Sequence, residues 1–312
     1  MKRNFVDIWD ISPEEGWSII RDTLSIKKGL DKEKYLQGKN IALYFTKPST
    51  RTRISFEVAV AQLGGNAIFL QENSLQVSRG EDLKDTARTF SRYLDAVVIR
   101  TDSHKKLEEF VKYSDIPVIN ALTDMAHPCQ ILSDIFTLYE AFGEDLRNIK
   151  IAYVGDGNNV CNTWLVGAGL FGLKLFVATP GGYEPSSLYY QAGEDLCKIT
   201  GGSIYLTTNP VEAVKDAHVV YTDVWISMNQ DKKEEKLQAL RPYQVNKELL
   251  SYAKPNVKAM HCLPAKKGEE ITEEVFEAHA DFIFTQAENR LHTQKALLKF
   301  LFSNIAPNTS TP

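Results

Sequence analysis

Ile41-Ala42-Leu43-Tyr44-Phe45-Thr46-Lys47-Pro48-Ser49-Thr50-Arg51-Thr52-Arg53 reads as a buried strand that turns into a helix. The apolar run does not alternate with polar residues, as expected of a parallel strand covered on both faces. Pro48 ends it, because the residue before a proline avoids helical geometry. Ser49 or Thr50 is then a natural N-cap for a helix over 54–63 that Gly64-Gly65 terminates. Its apolar stripes, Ile54/Val58/Ala61 and Phe56/Val60/Leu63, predict cover on most sides. Arg51 and Arg53 face the positive end of the helix dipole, which is unfavourable unless an anion is bound there. Backbone N–H groups, the hydroxyls of Ser49, Thr50 and Thr52, and two guanidiniums at one helix start make a phosphate site. An ordinary capped helix with two solvated arginines is the competing reading.

The strand–helix unit recurs along the chain. Apolar runs at 67–70, 96–99, 117–119, 150–154, 173–178, 203–206, 219–221, 257–260 and 282–284 read as further strands, with helical stretches between most of them. Residues 1–39 read as helical, 71–80 as a long polar loop, 129–142 as a long helix after Pro128, and 288–303 as a closing helix. Such alternation predicts an α/β fold of two doubly wound domains, each with a central parallel β-sheet flanked by helices. The expected division is 1–135 and 136–289, with a C-terminal helix in 290–312 packing back on the first domain.

Composition narrows the function classes. With 312 residues, 43% hydrophobic and 24% charged, the chain can bury a substantial core. A net charge of −4 argues against a general nucleic-acid binder. Cys129, Cys161, Cys197 and Cys262 are widely spaced, which fits reduced thiols in a cytoplasm better than a disulfide framework. No apolar run reaches the ~20 residues of a membrane span, and the start Met1-Lys2-Arg3-Asn4-Phe5 is not a signal-peptide core. A cytoplasmic protein without membrane or nucleic-acid partners is expected.

Ligands of doubly wound sheets bind beyond the carboxyl ends of the strands, so the polar residues there are the site candidates. Arg100 follows strand 96–99, where it is either a solvated end or a ligand. His127 precedes Pro128 at a helix start, where a neutral imidazole can donate to a carbonyl oxygen or merely cap; Gln130 lies one turn on. Gly155-Asp156-Gly157-Asn158-Asn159 resembles the start of a dinucleotide fingerprint. Val160 and Cys161 stand where a third glycine is needed, so NAD is discounted and the asparagines become candidates for a small carboxylate. Asp223 leaves a strand end and could grip an amine; Asp231 to Lys236 reads as a solvated, mobile loop. His261-Cys262 suggests a nucleophile, a metal ligand or a polarised contact, and a zinc set of His127, Cys129, His261 and Cys262 lacks standard spacing.

Taken together, Ser49-Thr50-Arg51-Thr52-Arg53, His127-Pro128-Cys129-Gln130 and His261-Cys262-Leu263-Pro264 resemble the aspartate/ornithine carbamoyltransferase family in order and spacing, from about Leu36 to Phe302. Asp223-Val224-Trp225-Ile226-Ser227-Met228 and Cys262 resemble its ornithine branch, although Asn229 stands where that branch has glycine. The resemblance implies transfer of the carbamoyl group of carbamoyl phosphate to the δ-amine of L-ornithine, giving citrulline and phosphate, with no metal and no cofactor. It implies that Ser49, Thr50, Arg51 and Thr52 hold the phosphate. Arg100, His127 and Thr52 would polarise the carbonyl oxygen, and Gln130 would meet the carbamoyl nitrogen. Cys262 and the backbone of Leu263 would border the carbamoyl group, and Arg290 would contribute from Ala287-Glu288-Asn289-Arg290. Asn159, Asp223, Ser227 and Met228 would hold ornithine. Gln76 matches a loop glutamine that reaches a neighbouring subunit's site, which implies a homotrimer, or a multiple of trimers, with sites at subunit interfaces. Putrescine and an N-acylated ornithine are alternative acceptors within the same chemistry.

Overall fold

The structure is a computed structural model that describes residues 2–226 and 234–303. Its elements run α1 (Pro13–Lys27), β1 (Asn40–Phe45), α2 (Thr50–Gln62), β2 (Asn66–Gln71), α3 (Leu83–Tyr93), β3 (Ala96–Arg100), α4 (His104–Tyr113), β4 (Val118–Leu122) and α5 (Pro128–Phe142). They continue as β5 (Lys150–Val154), α6 (Asn159–Phe171), β6 (Lys174–Ala178), α7 (Ser187–Thr200), β7 (Ser203–Thr207), α8 (Pro210–Val214) and β8 (Val219–Thr222). The remainder is α9 (Glu234–Leu240), α10 (Lys247–Leu250), β9 (Lys258–His261), α11 (Glu273–Ala278) and α12 (Ala280–Ser303). The described residues form two compact units, one of 2–11, 17–129 and 290–303, the other of 12–16 and the described part of 130–289.

The first unit holds a parallel sheet of order β2-β1-β3-β4. β1 and β3 are its centre, and both are buried over nearly their whole length, so helices cover both faces. On one face Ala42, Tyr44, Val97, Ile99 and Val118 pack with Leu107 and Phe110 of α4. Tyr44, Phe90 and Phe110 meet edge-on, with Tyr44–Phe90 centroids 6.2 Å and Phe90–Phe110 centroids 5.8 Å apart. β1 and β3 run in register from Ile41↔Ala96 to Phe45↔Arg100, and Thr46 N–H donates to the Arg100 carbonyl at 2.9 Å. The chain leaving β1 toward α2 therefore starts beside Arg100.

The second unit holds a parallel sheet of order β7-β6-β5-β8-β9. Tyr153 of β5 stacks on Tyr221 of β8 at 5.9 Å, and Trp164 of α6 meets Tyr221 edge-on at 5.4 Å. α6 is buried on all sides from Val160 to Phe171. It lies so close to α7 that a Cβ on Gly193 would sit 2.5 Å from the Leu165 carbonyl oxygen and 2.7 Å from Ile204 Cδ1.

Four expectations need correction. Phe282-Ile283-Phe284 is not a strand: it lies in the first turns of α12, with Ile283 fully buried and Phe284 55% exposed. Among the described residues of 1–39, Ile8–Asp10 (a 3-10 turn) and α1 alone are helical. α1 opens with a capping box, Ser12 N–H donating to Glu15 and Glu15 N–H to Ser12 Oγ. The helix at 50–62 is not covered on most sides, since Phe56, Ala59 and Val60 are buried but Ile54 is 53% exposed. The charged run is not all loop, for Glu234–Leu240 is helix and Lys236 is buried.

Gly193→Ala should cost about 2 kcal/mol or more, because overpacking against rigid backbone has no side chain to yield. Urea unfolding checks it: an unchanged midpoint would show that α6 and α7 can separate without loss.

Candidate active site

In the first unit β2 leaves β1 on one side and β3 lies on the other, so the order of the strands reverses between β1 and β3. At such a reversal ligands bind at the carboxyl edge, and the candidate polar residues come from four chain segments. Ser49 is the N-cap of α2, extended at φ −156°, and its side chain makes no capping hydrogen bond. An ordinary cap closes off first-turn N–H groups with its own oxygen; Ser49 does not do so here. Thr52 is buried in that first turn, and Thr50 and Arg51 are exposed. Arg53 does not join them. Its Nε donates to Glu57 at 2.9 Å and its guanidinium lies 3.7 Å over the Phe69 ring. Gln76 begins a 3-10 turn (Gln76–Arg79) in the exposed loop that follows β2.

Arg100 ends β3 at 9% exposure, His127 immediately precedes α5 at 5%, and Arg290 of α12 is likewise buried. His127 lies in the fields of both guanidiniums. Burial first, then the charges of Arg290 and Arg100, hold its imidazole well below its ordinary range, so the ring is neutral. The helix start that motivated this expectation is not the main cause. Two cations beside a neutral imidazole can in chemical terms stabilise an oxygen that gains negative charge. Cys129, two residues on, is buried; its thiol donates to the Asn120 carbonyl, and burial pushes it up to about 12.

The second unit repeats the geometry between β5 and β8. Asn158, not Asn159, spans the reversal: its Nδ2 donates to Asp223 Oδ2 at 2.7 Å, while its Oδ1 caps α6 at the N–H groups of Val160 and Cys161. Asn159 is the first residue of α6, half-buried, with its side-chain oxygen on the Val160 N–H at 3.0 Å. From the end of β9, Cys262 Sγ donates to Asp223 Oδ1 at 2.9 Å. Ser227 and Met228 lie outside the described residues. The two glycines of the 155–159 turn answer to local backbone geometry: a Cβ on Gly157 would fall 2.3 Å from Pro185 N, and Gly155 holds φ 139°.

Two further groups were not legible as site residues. Lys236 forms a buried ion pair with Asp156 at 2.7 Å, and burial still pushes the Asp156 carboxyl up to about 6 against the pull of Lys236. Asp134 is a buried acceptor for Gln130 Nε2, Gln286 Nε2 and Tyr221 OH, each at 2.8 Å, and so fixes which way the Gln130 amide points. Side-chain atoms of Asp223, His261 and Cys262 lie within 4.8 Å of one another. His261, however, uses Nδ1 to accept the Leu263 N–H and Nε2 to meet Glu270, so its lone pair is not presented to a metal. Leu263 has a left-handed backbone, φ 59°, and a cis bond to Pro264. No described helix is long and apolar enough to cross a membrane.

Comparison with known proteins accords with this arrangement. Residues 3–140 match the carbamoyl-P binding domain of aspartate/ornithine carbamoyltransferase, and residues 147–301 match its Asp/Orn binding domain. The chain is 67% identical to an ornithine carbamoyltransferase of Aquifex aeolicus, over 97% of this chain and 98% of that one. It is 46% identical to a protein of Pyrococcus furiosus named as the anabolic ornithine carbamoyltransferase, over 97% of each. Among solved structures it superposes on ornithine carbamoyltransferase from Pyrococcus furiosus with a TM-score of 0.92 at 45% identity, covering 98% of both chains. It matches the anabolic enzyme of Campylobacter jejuni with a TM-score of 0.92 at 42% identity, covering 96% and 99%. With both family domains matched and relatives of this identity along its length, the chain belongs to the aspartate/ornithine carbamoyltransferase family.

Proposed function

We propose that the chain transfers the carbamoyl group of carbamoyl phosphate to the δ-amine of L-ornithine, giving L-citrulline and phosphate. The observation that carries this reading is the buried, neutral His127 in the fields of Arg100 and Arg290, in the unit whose α2 start is open to an anion. The names of the relatives support ornithine as acceptor, and two of them support the anabolic direction, supply of arginine biosynthesis.

In this reading Ser49, Thr50, Arg51 and Thr52 hold the phosphate, as hydroxyl, amide and guanidinium donors at a helix start do. Arg100, Thr52 and His127 polarise the carbonyl oxygen, and Arg290 adds positive charge to the same region. Gln130, held through Nε2 by Asp134, offers its amide oxygen to the carbamoyl NH2. Attack of the δ-amine gives a tetrahedral oxyanion. A neutral imidazole donates to it without having to lose a charge, and the guanidiniums supply the field. The C–O bond to the phosphate then breaks, and the phosphate takes up the proton that the attacking nitrogen sheds as it departs into the site already made for it. The amine must be uncharged to attack, although a free alkylamine has a pKa of about 10.4; a desolvated pocket favours its neutral form. Asp223, Asn159, Ser227 and Met228 hold the amino-acid end of ornithine, with Asp223 itself held by Asn158. Cys262 and the Leu263 backbone border the carbamoyl group. Cys262 acts by position, because its proton is committed to Asp223 and a nucleophile needs the thiolate.

The chain works as a homotrimer, or a multiple of it, in the cytoplasm, with Gln76 completing a neighbouring subunit's site. The exposed position of Gln76, the half-covered edge strand β2 and the bare Ile54 on α2 support such an interface.

Arg51→Ala should raise the KM for carbamoyl phosphate by about 10- to 100-fold, the size of a lost charge-assisted hydrogen bond. Citrulline assays at varied carbamoyl phosphate decide it, and an unchanged KM with normal turnover would remove the phosphate site from α2. His127→Ala should lower kcat by about 100-fold or more, as loss of one oxyanion donor does. The wild-type pH profile should carry no acid limb from His127 near pH 6.5, the ordinary histidine value. A limb there that vanishes in the variant would show a charged, titrating ring. The sign for stability is the reverse of a salt-bridged histidine. The unfolded chain takes up this proton below about pH 6.5 and the folded chain does not, so His127 should make the wild type lose stability as pH falls through that value. Thermal unfolding at pH 5 and 7 reads it, with a smaller difference expected in the variant.

A further inference from the structure

We propose that the buried His261–Glu270 pair is a positioning device that sets the Leu263 peptide for carbamoyl transfer. The inference rests on the function proposed above. His261 closes β9, and neither its ring nor the Glu270 side chain is exposed. The Leu263 N–H donates to His261 Nδ1 at 2.8 Å. An amide can only donate, so Nδ1 carries the lone pair and the ring proton sits on Nε2. That proton points at Glu270 Oε1, 2.9 Å away. The same oxygen accepts the Lys266 N–H at 2.6 Å, and the Glu270 carbonyl accepts the Val245 N–H at 2.9 Å. The His261 N–H is held by Gln286 Oε1 at 3.0 Å. The imidazole is thus fixed in tautomer and in orientation by groups on every side of it.

What it holds is a strained residue. Leu263 adopts φ 59°, the left-handed region that a residue with a side chain keeps only where its surroundings over-determine it. The imidazole two residues back is the acceptor that satisfies the turned peptide. Cys262, between them, points its sulfur to Asp223. One buried acid therefore decides where the ring proton sits. The ring decides the angle of the Leu263 peptide, and with it the backbone that borders the carbamoyl group. With both nitrogens engaged and no exposed ring surface, His261 is a positioning residue and does not touch substrate.

The experiment uses the full-length protein and four variants. Glu270→Gln keeps an oxygen for the Nε2 proton, and His261→Asn keeps an oxygen near Nδ1 for the Leu263 N–H; both should stay within about threefold of wild type in the KM for carbamoyl phosphate and in kcat. Glu270→Ala and His261→Leu should raise that KM or lower kcat by about tenfold or more, as expected for a buried hydrogen bond to a charged group, with the KM for ornithine moving less. Side-chain nitrogen NMR supplies a readout that stability alone does not move: His261 should show an unprotonated Nδ1 in wild type and Glu270→Gln, and mixed tautomers in Glu270→Ala. A protonated Nδ1 in wild type overturns the proposal. So does an Ala or Leu variant that folds with lowered melting temperature yet unchanged kinetics; if both fail to fold, impaired kinetics in His261→Asn overturns it. Wild type that makes no citrulline at all would instead sink the proposed reaction, while the tautomer is still read independently.

Discussion

Parallel strands end together. In each sheet the peptide N–H and C=O groups beyond the last paired residues must find partners, and the order of the strands decides where the chain can provide none of its own. β2-β1-β3-β4 and β7-β6-β5-β8-β9 each reverse direction once, between β1 and β3 and between β5 and β8. At a reversal the two connections leave toward opposite faces, and the edge between them stays open. The candidate site residues of each unit lie there: Ser49 to Thr52 with Arg100 in one, Asn158 with Asp223 in the other. The register Phe45↔Arg100 makes this concrete, since it fixes an arginine beside the turn into α2 before any ligand is considered.

Electrostatics at the first edge follows from burial. An exposed histidine beside two arginines would be screened, and its proton would cost little. At 5% exposure His127 can neither shed the field of Arg100 and Arg290 nor hydrate a charge, so it remains neutral. The second edge uses a different device. Asp223 accepts from Asn158 on one carboxyl oxygen and from Cys262 on the other, which fixes its orientation.

The strand runs at 41–45, 96–99 and 150–154 were legible because parallel strands buried on both faces are apolar at every position, a pattern local sequence states directly. Phe282-Ile283-Phe284 was misread because a three-residue apolar run carries no usable period; its helical partners, Gln286 and Asn289, are polar and buried through bonds to Asp134, Thr137 and Glu140. Arg53 was misplaced for a geometric reason. At 3.6 residues per turn, positions two apart point about 200° away from each other, so Arg51 and Arg53 cannot face one ligand from one helix. Lys236 looked solvated because its partner Asp156 lies 80 positions earlier, and composition says nothing about such pairs. The bond from Asn158 to Asp223 was hidden for the same reason, since its partner lies 65 positions on, across the sheet.

Those illegible contacts share a function within their own unit. Asp134, Lys236 and Glu270 are buried ionisable residues whose removal would leave donors or charge without compensation, and none is at a strand end where a ligand is expected. A buried charge is poor value for stability alone, since well-packed apolar groups serve as well or better. Its advantage is direction. Asp134 turns the Gln130 amide one way, Asp156 and Lys236 fix each other, and Glu270 assigns one proton on one ring. An apolar core could support the same sheets, but it could not tell an amide nitrogen from its oxygen, or Nδ1 from Nε2.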